Sequence, residues 1–149
     1  MSTRSVIGVY DNDTNSVKLV YCHSDGYPEH MVLVPALKHY TDKETIMNEI
    51  IGIGGFRFLD EQFGPERPYG RNDGDEPVPA ITRTLHNFIH QNDLYGADFR
   101  YLFMNGKWMC FDFDPADYDE DDEYVIELKE KLKTMLSFVP NEYGGYDFL

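Results

Sequence analysis

The stretch FRYLFMNGKWMCFDF, residues 99–113, constrains the fold more than any other part of the chain. Two aromatic and aliphatic runs meet at Asn105-Gly106, and both central positions of a type I′ turn need positive φ, which Asn and Gly adopt at least cost. The segment is therefore expected to be a β-hairpin. Its register is set by the turn, and Trp108, the sole tryptophan, is expected in the core. A second hairpin is expected from SVIGVY (5–10) and SVKLVYCH (16–23), separated by DNDTN, whose Asp and Asn side chains favour tight turns.

The remaining segments suggest helices and loops. Asp25-Gly26 ends the second strand, Pro28 suits a first helical position, and EHMVLVPALKHY carries an apolar face that Pro35 should kink. TDKETIMNEIIG predicts a firmer helix, with Thr41 and Glu44 as a capping box, Ile46, Met47, Ile50 and Ile53 as its apolar stripe, and Gly52 at its end. Residues 54–79 are rich in Gly, Pro, Asp and Arg and fit neither hydrophobic period, which predicts a long irregular loop holding Arg57, Arg67 and Arg71. In ITRTLHNFIHQ the spacing of Ile81, Leu85, Phe88 and Ile89 favours a helix, although the β-branched start also suits a strand. A last helix would align Val125, Leu128, Leu132 and Met135, with acids at its start and Lys129, Lys131 and Lys133 toward its end. Residues 143–149, YGGYDFL, suggest a loose tail. With 149 residues, 42% of them hydrophobic, there is material for one core and not two. The expected fold is a single α+β domain over 1–149: an antiparallel sheet of two hairpins, packed on one face by three to four helices.

The formal net charge of −14 disfavours direct contact with nucleic acid or anionic lipid, and favours basic surfaces or cations. No apolar run approaches the ~20 residues of a membrane span, and the N-terminus turns polar too early for a secretory signal. A cytosolic protein is expected. Cys22 and Cys110 both lie in apolar strand-like runs, as buried free thiols of a reducing compartment would.

Two groups of residues could hold a metal. YCHSDGYPEH, residues 21–30, gathers Cys22, His23, Asp25 and His30, yet consecutive strand residues point to opposite faces, so at most three can converge. A strand end, a turn at Asp25-Gly26 and a first helical turn explain the same residues without any chemistry. His86 and His90, four apart, share a helical face, but no HExxH glutamate accompanies them, and a polar helix edge is the simpler reading. Nothing in so acidic a chain lowers the Cys22 thiol pKa. The glycines of GIGG (52–55) follow a helix and lack the spacing of a phosphate loop.

The strongest anomaly is DFDPADYDEDDE, residues 112–123. Its eight acids are Asp112, Asp114, Asp117, Asp119, Glu120, Asp121, Asp122 and Glu123, and without them the net charge would be −14 + 8 = −6. As a calcium loop it fails, because Ala116 and Asp117 occupy the fifth and sixth positions, where an acid or amide and a glycine are needed. A helix start capped by Asp114, with Pro115 first, accounts for two or three acids and leaves the others solvated. The other reading is a docking face resembling nucleic acid phosphates, with Phe113, Tyr118 and Tyr124 as anchors for a basic partner.

MSTRSVIGVY, YCHSDGYPE and YLFMNGKW together resemble a family of small proteins encoded by bacteriophages and prophages. The resemblance spans roughly the first forty residues and about fifteen near 105, and brings no activity and no site residue with it. It implies a viral origin and the cytoplasm of a bacterial host. The expected function is an accessory protein without cofactor that binds and inhibits or redirects a basic host protein, one handling nucleic acid or host defence. The alternative is a small metal-dependent enzyme or ligand-binding protein using His23, Asp25 and His30, or His86 and His90.

Overall fold

The computed structural model describes residues 3–28, 30–31, 37–60, 64–68, 78–91, 94–112, 130 and 138–148. Both expected hairpins form. Strands β1 (Ser5–Asp11) and β2 (Ser16–Cys22) pair antiparallel from Ser5↔Cys22 to Asp11↔Ser16, and Asn15 takes the positive φ of the turn at 51°. After β2, helix α1 (Lys43–Glu49) leads through a 3₁₀ turn to β3 (Phe56–Asp60) and β4 (Gly64–Pro68). Next come β5 (Ile81–Thr84) and α2 (Leu85–His90), and then β6 (Phe99–Met104) and β7 (Lys107–Phe111). Asn105 and Gly106 have φ of 55° and 77°, as the two-residue turn between β6 and β7 requires. The chain closes with β8 (Phe138–Pro140) and β9 (Tyr146–Phe148).

The assembly of these parts overturns the expected α+β arrangement. All nine strands among the described residues join one mixed sheet in the order β4-β3-β2-β1-β6-β7-β9-β8, with β5 also paired to β2. The described α-helices α1 and α2 are only seven and six residues long. The hairpins are joined by a parallel pairing of β1 with β6, from Ser5↔Phe99 to Val9↔Phe103. The outer edge of β2 is shared: β5 lies antiparallel along Ser16–Leu19, and β3 meets it at Cys22↔Phe56.

The residues expected to form an irregular loop supply β3 and β4 instead. Phe56 and Leu59 enter the core, and Pro65 and Pro68 in β4 are tolerated because β4 is at the edge among the described strands and need not donate along its outer side. ITRTLHNFIHQ divides at Thr84, whose hydroxyl caps α2 by accepting from the Asn87 amide at 3.1 Å. Its β-branched start is therefore strand, and its remainder is helix. The loose tail is also overturned. Asn141 Oδ1 accepts from the amides of Tyr143 and Gly145, each at 3.0 Å, and this turn folds β9 back onto β7 and β8.

Helix α1 is capped by Asp42 rather than by a Thr41–Glu44 box. Its carboxylate accepts from the Thr45 amide and the Thr45 hydroxyl, both at 2.8 Å, because an aspartate adjacent to the first turn reaches the free amides directly. Ile46 and Ile50 are buried and Met47 packs at the core margin, but Ile53 is 44% exposed, and the chain leaves the 3₁₀ turn at Gly54 rather than Gly52. Of the helix expected over 29–40, residues 30–31 and 37–40 are described, and Leu37–His39 forms a 3₁₀ turn. The last expected helix, with Val125, Leu128, Leu132 and Met135, lies outside the described residues except for residue 130.

Both faces of the sheet are covered, not one. Ile7, Val20, Cys22, Tyr101 and Trp108 pack against Ile46, Ile50, Phe56 and Leu59 on one side. Val6, Leu19, Leu102, Met109 and Phe111 pack against Phe88 and Leu94 on the other. This explains the nearly continuous apolar runs of the central strands, where alternation would be expected of a sheet with one wet face. Trp108 is buried as expected, its Nε1 donating to the Tyr40 carbonyl at 2.8 Å and its ring edge-on to Phe103. No helix among the described residues is long and apolar enough to cross a membrane.

Candidate functional site

The residues of YCHSDGYPEH serve as joints between strands. Cys22 is fully buried opposite Ser5 and points its thiol at the Ser24 carbonyl, 3.3 Å away. Burial pushes that thiol up to about 12, so it is a core residue and a poor nucleophile. His23 lies beyond the end of β2, its amide donating to the Phe56 carbonyl and its Nδ1 2.8 Å from the Tyr21 hydroxyl. Partial burial, with Arg4 and Arg57 nearby, holds His23 below the usual imidazole range, favouring the neutral ring. Asp25 takes a φ of 56° in the turn.

Gly26 donates its amide to Thr3, and its carbonyl accepts from the Tyr101 hydroxyl at 2.7 Å. A Cβ there would sit 2.5 Å from the Ser5 hydroxyl oxygen, so only glycine allows this approach. His30 Nε2 lies 2.6 Å from the Leu59 carbonyl, which can only accept, so this nitrogen carries the proton. His23 and His30 therefore engage different partners, and Asp25 holds the turn between them. Among the described residues no three His, Cys, Asp or Glu side chains converge as metal ligands.

His86 and His90 do come together. They lie on the exposed side of α2 with ring centroids 4.6 Å apart and planes tilted by 46°. On the opposite side of the same helix, Phe88 is fully buried, its ring edge-on to Phe111.

Of the acidic segment, Asp112 is described, and Phe113, Asp114, Asp117, Tyr118, Asp119, Glu120, Asp121, Asp122, Glu123 and Tyr124 lie outside the described residues. Asp112 immediately follows β7, at a φ of 66°. Its carboxylate is 3.0 Å from Nε of Arg100, an ion pair not aligned as a hydrogen bond. Arg100 is 7% exposed and donates through Nη1 to the carbonyls of Phe88 at 2.6 Å and Ile89 at 3.0 Å. One buried guanidinium therefore ties the root of the acidic segment to the C-terminal end of α2, where carbonyls lack helical partners and a cation is favourable. Burial lifts the Asp112 carboxyl above its usual range, and Arg100 draws it partly back. This pairing was not foreseen from sequence. A lone arginine inside an aromatic strand run, FRYLFM, was the available signal.

Two further hollows have no counterpart in the sequence reading. A cavity of about 270 Å³ lies between the β6–β7 turn and the Asn141 turn, lined by Met104, Lys107, Met109, Glu142, Tyr143 and Asp147. A shallower groove of about 550 Å³ runs between Lys18, the Ile51–Gly54 turn and Pro79-Ala80, and contains the exposed Ile53. Compared with protein-family models, curated proteins and solved structures, the chain matches none.

Proposed function

We propose that this chain is a non-enzymatic binding protein, phage-encoded and acting in a bacterial host, which docks through its acidic segment onto a basic surface of a host protein that handles nucleic acid or defence. The observation that carries the reading is the concentration of eight acids within residues 112–123. So many like charges in sequence repel one another, and stability alone does not call for them. The Arg100–Asp112 pair supports the reading, because it roots the segment at the end of β7 on a buried partner. Cys22 and His23 sit where β2 meets β3, and His30 binds the Leu59 carbonyl, and these structural roles remove the reason to assign them chemistry. The viral and host setting rests on the resemblance of three sequence segments.

The test compares the wild-type chain with a triple variant, Asp119→Asn, Asp121→Asn and Asp122→Asn, as bait in bacterial lysate. A specific partner should be retained by wild type, lost from the triple variant, and released as the Debye length falls from about 10 Å at 0.1 M salt to about 3 Å at 1 M. Equal retention by both baits would overturn the docking role and leave the segment as a solvated helix start.

A further inference from the structure

We propose that His86 and His90 form a two-imidazole site for an exchangeable divalent cation of the Cu²⁺, Ni²⁺ or Zn²⁺ class on the exposed side of α2. Side chains four apart on a helix are neighbours, and here the rings lie side by side with centroids 4.6 Å apart. An ion bound at roughly 2.0–2.1 Å from one nitrogen of each ring is within reach of local side-chain rotation. Among the described residues neither imidazole has a hydrogen bond that would occupy its nitrogens.

The backbone that spaces the pair is held at both ends. A helix of six residues is marginal alone, but Thr84 caps its start, Phe88 anchors its inner side, and Arg100 binds the carbonyls of Phe88 and Ile89. Preorganisation of this kind removes much of the ordering cost of chelation. Imidazole pairs favour borderline metals over Mg²⁺ or Ca²⁺, which take oxygen ligands. With two ligands from the described residues, the remaining positions fall to water, so the ion exchanges readily and affinity should follow the order Cu²⁺ above Ni²⁺. The net charge of −14 raises the local concentration of any cation. The sequence offered this pair as a candidate beside the simpler reading of a polar helix edge, because spacing shows that two rings share a side and not that they lie together.

The experiment is calorimetric titration of the full, tag-free chain with NiCl₂, repeated for His86→Gln, His90→Gln and the double variant. Wild type should bind one Ni²⁺ per chain. Each single variant should bind roughly 10²-fold more weakly, since losing one arm turns chelation into single-ligand binding. Without metal, all four proteins should melt alike, and Ni²⁺ should raise the melting temperature of wild type alone. Absence of binding by wild type at millimolar Ni²⁺, or equal binding by the double variant, would overturn the site.

Discussion

Replacing Arg100 by Met removes a buried charge that ties β6 to α2 and to Asp112 after β7, so its cost can be worked from the contacts. The guanidinium makes two bonds to α2 carbonyls, at 2.6 Å and 3.0 Å, and hydrogen bonds to a charged donor contribute about 1.5–3 kcal/mol each. The Phe88 contact is buried and the Ile89 contact only partly so, which places their sum toward the lower end. The ion pair adds little, because the Asp112 side chain is 42% exposed and rehydrates when its partner is lost, as surface pairs worth under about 1 kcal/mol do. Against these losses, the desolvation cost of burying the guanidinium disappears, and the Met side chain keeps most of the packing of the arginine stem. The expected net destabilisation is about 2–4 kcal/mol. Arg100→Lys should recover about half, since it keeps the charge but replaces a planar fork, in which Nη1 makes both carbonyl bonds while Nε faces Asp112, by one ammonium on a differently shaped stem. Urea unfolding followed by Trp108 fluorescence and far-ultraviolet circular dichroism should show a lower midpoint at unchanged slope. Amide exchange should accelerate in α2 before it does in β1 or β6. A loss under about 0.5 kcal/mol would refute the reasoning, because it would mean that water satisfies the helix carbonyls as well as the arginine does.

Three further outcomes follow from single contacts. Gly106→Val should cost about 1–3 kcal/mol, because Gly106 has a φ of 77° and nothing lies within 4 Å of an added Cβ, so the cost is purely that of backbone conformation; a wild-type melting curve would contradict it. Neither Cys22 nor Cys110, both 0% exposed, should react with a thiol reagent in the native protein at mildly alkaline pH, and both should react in urea; rapid native labelling would show that β2 or β7 opens. The amide and hydroxyl of Thr45 hold the Asp42 carboxyl below its usual range, so its stabilising contribution is present above about pH 4 and is lost as pH falls through the lower folded value. Asp42→Asn should therefore flatten the acid limb of the melting temperature against pH, and parallel curves would refute the capping role.

The parts of the fold legible in the sequence are those governed by local chemistry. Asn105-Gly106 and the DNDTN turn specify hairpins because positive φ and side-chain-to-backbone bonds are properties of a few adjacent residues. The burial of Trp108, Cys22 and Cys110 follows from apolar surroundings in the same way. The shared side of His86 and His90 follows from helical spacing.

Tertiary structure decided the rest. FRFLD is a short strand whose signal was diluted by the prolines and glycines that follow, and its membership of the sheet rests on one register pair, Cys22↔Phe56, 34 residues apart in the chain. The parallel joining of β1 to β6 leaves no local mark, because no turn connects the two strands and the pairing is selected by which apolar surfaces can be buried together. Asp42 replaced Thr41 as the helix cap through a one-residue difference in where the chain turns, which propensity does not resolve. Arg100 could be read only as a polar interruption of a strand until α2 was placed across it. Long-range contacts of this kind depend on surfaces brought together from distant parts of the chain, and residue type and spacing carry no information about which surfaces those are.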